Sequence, residues 1–197
     1  LTGKVALVTG SSQGLGAAIA RCMADAGADV VINYVSESSK KKAEKVADYA
    51  RGKGKTALVI QADVSKEEAV FAMMDAILQK FGRLDILVNN AGINSNYNID
   101  DLTFDEWHRV LNTDIDSGFL CSKYAVPIMR KQKHGRIIMI SSMVGQQGAL
   151  FGQVHYASAK AAQQGFARTL ARSVALDGIT VNCVAPGTHM TETLEAI

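Results

Sequence analysis

Apolar residues along the chain gather in short runs rich in β-branched side chains: VALVT (5–9), VVIN (30–33), ALVI (57–60), ILV (86–88), RIIMI (136–140) and ITVNCV (179–184). Runs this short and this apolar predict strands buried on both faces. Between them lie longer segments, 14–27, 39–52, 67–81, 103–131 and 156–176, in which apolar positions recur with the spacing of one helix face. Strand and helix alternate along the chain. That alternation predicts right-handed βαβ crossovers and an α/β architecture, a doubly wound parallel sheet with helices on both faces.

The chain of 197 residues fits one domain, 1–197, because single cores commonly hold up to about 250 residues. Apolar residues make up 48% of it, charged residues 20%, and the net charge is +2. Such a balance carries no electrostatic footprint for nucleic acid or an anionic membrane, so neither is expected as a partner. Cys22, Cys121 and Cys183 are far apart, odd in number and set in apolar runs, so free thiols are expected and neither a disulfide nor a metal site. No apolar run reaches the ~18–20 residues of a membrane span, and the first strand pattern leaves no room for a signal peptide. A cytoplasmic location is the expectation.

Directly after the first strand comes TGSSQGLG (9–16), which opens the next helix. A glycine-rich turn there lets backbone N–H groups approach a pyrophosphate and aims a helix N-terminus at it. Gly10 permits the turn, Gly14 the close approach and Gly16 the packing beneath, which makes the fold Rossmann-like and the ligand a dinucleotide. An acid at the end of the second strand bonds the ribose 2′-hydroxyl of NAD. Here that end reads INYVSESSKKK, with Asn33 and Tyr34 in place of an acid and Lys40 to Lys42 downstream. NADP is therefore the expected cofactor, with NAD as the alternative.

Further on, VHYASAK (154–160) sets Tyr156 and Lys160 four residues apart, neighbours on one helix face. Asp63-Val64 follows the third strand, Asn89-Asn90-Ala91-Gly92 the fourth, Ser141-Ser142 the fifth, and Pro186-Gly187 with Thr191 the sixth. This ordered set resembles the short-chain dehydrogenase/reductase family over nearly the whole chain. The resemblance implies that Gly10, Ser12, Gly14, Leu15 and Gly16 contact the cofactor phosphates and ribose, and that Asp63 and Val64 contact the adenine. It gives Asn90, Ala91 and Gly92 the adenosine ribose, and Pro186, Gly187 and Thr191 the nicotinamide. Tyr156 and Lys160 would hold the nicotinamide ribose as well as act in catalysis.

The residue types match the implied chemistry. Hydride transfer between nicotinamide and a carbonyl carbon requires a proton at the developing alkoxide. A tyrosine of pKa about 10 is a poor donor or base near neutrality, and a cation within ~4–6 Å lowers it. Lys160 is expected to supply that cation, and Ser142 to hydrogen-bond the substrate oxygen. Successive side chains at a strand end point opposite ways, so Ser141 faces elsewhere.

Two features depart from the family pattern. Where the family carries a water-binding asparagine on the long central helix, alignment from Trp107 and Lys123 places Asp114, in LNTDIDSGF. Asn112 lies about 200° around that helix and should face elsewhere. As a carboxylate, Asp114 would stabilise charged Lys160, oppose ionisation of Tyr156 and serve the proton relay. Second, the family continues for a substrate-covering helical segment and a last strand that often builds a subunit interface. Their absence after residue 197 is expected to mean a truncated C-terminus, with the substrate pocket incomplete.

The leading expectation is an NADP-preferring reductase acting on CH–OH/C=O groups, most similar to enzymes that reduce 3-oxoacyl thioesters in fatty acid biosynthesis. GQVHYASAK, and basic Lys133 and Arg172 facing an acidic acyl carrier protein, favour that reading. A sugar, polyol or small-alcohol dehydrogenase is the alternative, and a non-catalytic dinucleotide-binding sensor is a third. By resemblance the protein is a homo-oligomer, dimer or tetramer.

Overall fold

A computed structural model of the chain describes residues 1–187. Six strands, β1 (Val5–Val8), β2 (Asp29–Tyr34), β3 (Ala57–Gln61), β4 (Ile86–Asn89), β5 (Gly135–Ile140) and β6 (Ile179–Val184), form one sheet. Their order is β3-β2-β1-β4-β5-β6 and every pairing is parallel. Helices α1 (Gly14–Asp25), α2 (Lys40–Gly52) and α3 (Glu67–Phe81) connect the first four strands. The link to β5 runs through α4 (Phe104–Leu111) and α5 (Ser117–Gln132), and the link to β6 through α6 (Val144–Gln147) and α7 (Val154–Val174). The predicted doubly wound parallel sheet is the observed one.

Side-chain alternation along β1 explains the two layers. Val5 and Leu7 enter a core shared with Val70 and Ile77 of α3, Cys121 and Ala125 of α5, and Ala167 of α7. Ala6 and Val8 enter the opposite core, against Ala17, Ala20 and Ala24 of α1 and Ala43 and Ala47 of α2. A strand buried on both faces needs no polar face, which is why these runs are continuously apolar. Each fully buried valine or leucine stabilises the fold by roughly 1.5–3 kcal/mol.

The winding direction reverses between β1 and β4, its neighbour in the sheet. Loops leaving those two strands diverge, and the crevice between them is where such folds bind ligand. It is closed underneath by Thr9, whose backbone N–H donates to the Val88 carbonyl and whose hydroxyl accepts from the N–H groups of Asn90 and Ala91.

The single helix predicted over 103–131 is interrupted. Between α4 and α5, Asn112–Asp116 forms a π turn. One extra residue in the turn leaves carbonyls outside the regular ladder, and side chains take them up. Thr113 donates to the Arg109 carbonyl, and Gln163, reaching across from α7, donates to the carbonyl of Asp114 at 2.6 Å. Such turns recur where a helix must redirect one side chain. Here the redirected side chain is Asp114. Helix α7 also starts two residues ahead of the predicted 156–176, and α6 was not foreseen. Gly145 lets α6 sit directly on α7, since a Cβ there would lie 2.7 Å from the Lys160 carbonyl carbon.

Candidate active site

The glycine loop is shaped by contacts that a side chain would destroy. Gly10 (φ 61°) and Gly14 (φ 57°) adopt left-handed backbone, which costs non-glycine residues about 1–2 kcal/mol. A Cβ on Gly16 would stand 2.5 Å from Asn90 Nδ2 and 2.6 Å from the Gly10 carbonyl, whereas one on Gly14 would face open space. Helix α1 begins at this opening with no side-chain cap and no acidic residue in its first turn. Its leading N–H groups are thus left for an anion, so the residues present fit a pyrophosphate. Ser12 is half-buried beside the opening, and Leu15 packs partly into the core beneath α1.

Asn33 and Tyr34 are drawn into the fold. Neither is free at the strand end: Asn33 is 2% exposed and Tyr34 5%. The Asn33 carboxamide oxygen accepts from the Gly10 N–H at 3.0 Å, and its Nδ2 donates to the Ala62 carbonyl at 3.0 Å. It braces the glycine turn from below. The lysine run divides: Lys40 pairs with Glu37, while Lys42 Nζ donates to Gln13 Oε1, at the mouth of the loop. Asp63 is exposed and caps Ser65, and Val64 is buried in the core. The Asn90 amide donates to the Thr9 and Gly10 carbonyls, joining the β1 and β4 loops, with Ala91 and Gly92 following it at the crevice rim.

At the carboxyl edge of the sheet, Ser142, Tyr156, Lys160 and Asp114 come together. Lys160 is 3% exposed on α7, with Nζ donating to the Ile140 carbonyl at 3.0 Å, paired with Asp114 Oδ2 at 3.1 Å, and 5.3 Å from the centre of the Tyr156 ring. Asp114 is fully buried, and its other oxygen accepts the Ile93 N–H at 2.7 Å. Gly92 makes the room, because a Cβ there would lie 2.9 Å from Asp114 Oδ2 and 3.2 Å from Lys160 Nζ. The Ser142 hydroxyl stands near enough to the Tyr156 phenol to pull its pKa downward. Ser141 faces away, donating to the Lys160 carbonyl. Met143 N–H holds the Pro186 carbonyl at 3.0 Å, bringing Pro186 and Gly187 beside Ser142. Thr191 lies outside the described residues.

The electrostatics reverse one expectation. Burial and the charge of Asp114 push the Tyr156 phenol above its ordinary range, outweighing the opposing influence of the nearby Ser142 hydroxyl. Lys160 does not bring it toward neutrality, because its ammonium is engaged by Asp114 and the Ile140 carbonyl. Burial likewise pushes the Asp114 carboxyl up, against the pull of Lys160 and the Ile93 N–H.

Several positions at the site went unread in the sequence. Thr9 joins the loops, Gln163 supports the π turn, and buried His155 meets partly exposed Ser95 next to Tyr156. Gln163 carried a signal, lying three residues beyond Lys160 on the same helix face, and Thr9 and His155 lay within the motifs at 9–16 and 154–160. Among the described residues no helix is long and apolar enough to cross a membrane, and no cluster of metal-ligating side chains occurs.

The family model described as short chain dehydrogenase matches residues 4–197. A 3-oxoacyl-[acyl-carrier-protein] reductase of Synechocystis sp. is 42% identical over 199 residues, covering 100% of this chain and 79% of that protein. The corresponding reductase of Escherichia coli is 43% identical over 195 residues, covering 99% and 77%. Among solved structures, a protein described as a short-chain alcohol dehydrogenase from Sinorhizobium meliloti 1021 superposes with a TM-score of 0.91 at 31% identity, covering 97% of this chain and 74% of the other. The chain therefore belongs to the short-chain dehydrogenase family and is an NAD(P)-dependent oxidoreductase.

Proposed function

We propose that the protein reduces the ketone of a 3-oxoacyl thioester, with NADPH as its preferred dinucleotide, and that residues 1–197 act as one dinucleotide-binding domain. The observation that carries this reading is the meeting of Ser142, Tyr156 and Lys160 at the carboxyl edge of the sheet, within reach of the crevice floored by the glycine loop. Bound nicotinamide supplies the hydride. Ser142 orients and polarises the substrate oxygen, and Tyr156, a neutral phenol at physiological pH, donates the proton to it. Lys160, 5.3 Å from the centre of the Tyr156 ring, would hold the nicotinamide ribose. Asp114 holds the ammonium in place.

NADPH is favoured by what stands at the loop mouth: no acid at the end of β2, and Lys42 reaching Gln13 at 2.7 Å. The thioester assignment is supported by the names of the relatives from Synechocystis and Escherichia coli. Lys133 and Arg172, the basic residues expected to face an acidic carrier, stand away from the reacting groups. Lys133 precedes β5, whose six residues span about 20 Å at ~3.3 Å each, and Arg172 lies about 24 Å along α7 from Tyr156 at ~1.5 Å per residue. They occupy the opposite edge of the sheet from the proposed site.

The test is NADPH consumption with a panel comprising an acetoacetyl thioester, simple ketones and sugar-derived ketones. Preferential turnover of the thioester supports the proposal. Turnover of the sugars with no response to the thioester overturns the substrate, and no turnover of any overturns catalysis.

A further inference from the structure

His155, immediately before Tyr156 on α7, is fully buried, and its Nε2 lies 2.8 Å from Ser95 Oγ. Ser95 in turn donates to Glu106 of α4, whose carboxylate is clasped by Arg109 through two bonds of 2.6 and 2.7 Å. The guanidinium and the Ser95 hydroxyl hold the Glu106 carboxyl at about 2, so it is ionised and can only accept. Ser95 has one proton and gives it to Glu106. The bond to His155 must therefore be donated by the imidazole, which fixes the neutral Nε2–H tautomer and leaves Nδ1 bare. That nitrogen is buried and makes no hydrogen bond.

The chain of bonds joins the elements that carry the site. Ser95 belongs to the loop whose Ile93 N–H holds Asp114, and His155 opens the helix that presents Tyr156 and Lys160. We propose that His155 is a positioning residue for Tyr156, competent only as the neutral imidazole donating to Ser95, and that its protonation sets the acid-side limit of turnover. A second proton would land on Nδ1, in a buried place with no acceptor. Burial most of all, with Arg109, disfavours the imidazolium and pulls His155 below its ordinary range, against Glu106 and Asp114, which favour it. On its own helix stand Tyr156 and Lys160.

The proposal rests on Tyr156 being the proton donor, so Tyr156→Phe is run in parallel. Turnover surviving in that variant overturns the donor assignment whatever His155 does. The experiment is the pH dependence of kcat/KM with NADPH and an acetoacetyl thioester. His155→Leu should lower kcat by roughly tenfold or more while leaving the NADPH Kd unchanged. His155→Gln, whose Nε2 can still donate to Ser95 but cannot titrate, should recover most of that loss and abolish the acid limb. Glu106→Gln should move the limb to lower pH, since the carboxylate favours protonation of His155. An acid limb unaltered in both glutamine variants overturns the proposal, even if His155→Leu fails to fold. So does a His155→Leu enzyme with the parent kcat.

Discussion

The Asp114 carboxylate stands 3.1 Å from the Lys160 ammonium, and both side chains are withdrawn from water. In a buried pair each charge depends on the other, because loss of one partner leaves the second desolvated and alone, at a cost of about 3–5 kcal/mol. The pair also sets the field at Tyr156. It balances the lysine charge that would otherwise favour a phenolate, and Asp114 itself disfavours ionisation.

Asp114→Asn should therefore lower the apparent pKa of Tyr156. Ketone reduction needs the protonated phenol, so kcat/KM falls as pH rises through that pKa, and in the variant this alkaline limb should move to lower pH. For alcohol oxidation, which needs the phenolate, the acid limb should move the same way. Superimposable pH–rate profiles for parent and variant would remove Asp114 from the site's electrostatics.

Tyr156→Phe keeps the ring and deletes the proton. Turnover of the thioester should fall by ~10²-fold or more, with the NADPH Kd from calorimetry little changed. A variant as fast as the parent would refute proton donation by Tyr156.

Asn33→Asp should weaken both dinucleotides instead of converting the enzyme to NADH. A carboxylate can still accept from the Gly10 N–H, but it cannot donate to the Ala62 carbonyl. Two acceptors would then face each other in a buried place, destabilising the loop by about 1–3 kcal/mol. Thermal unfolding and calorimetry with both cofactors check this, and a clean gain in NADH affinity would contradict it.

Lys42→Ala tests the cofactor preference where the structure places a cation. The NADPH Kd should rise about fivefold, corresponding to ~1 kcal/mol for an exposed charge pair, with the NADH Kd unaffected. Equal loss for both cofactors would assign Lys42 to loop structure alone.

Gly92→Ala should separate Asp114 from Lys160, since the added methyl would lie 2.9 Å from the one and 3.2 Å from the other. A lowered melting temperature, from overpacking of about 1–3 kcal/mol, and a reduced kcat are the expected signs. Parent-like values for both would mean that the pair relaxes freely around the methyl.

Much of the fold was legible because it depends on local patterns. The β-branched runs at 5–9, 30–33 and 136–140 mark strands, and their alternation with helical segments dictates a doubly wound parallel sheet. The interruption at Asn112–Asp116 was not legible, because a π turn depends on where displaced carbonyls find donors. One such donor, Gln163, comes from another helix. The partners of Asn33 were not legible for a similar reason. Its place at a strand end was correct, but the direction of its side chain was decided by Gly10 and Ala62, neither of them a chain neighbour.

The sequence by itself determined the order of strands and helices, the glycine loop at the head of α1, and the shared face of Tyr156 and Lys160, because each follows from the spacing of residues along a regular element. Tertiary structure alone decided which charge Lys160 meets, which way the Tyr156 pKa moves, and which tautomer His155 holds. These depend on burial and on atoms brought within about 3 Å from distant parts of the chain, and in a low-dielectric interior such contacts outweigh the preferences of the isolated side chains.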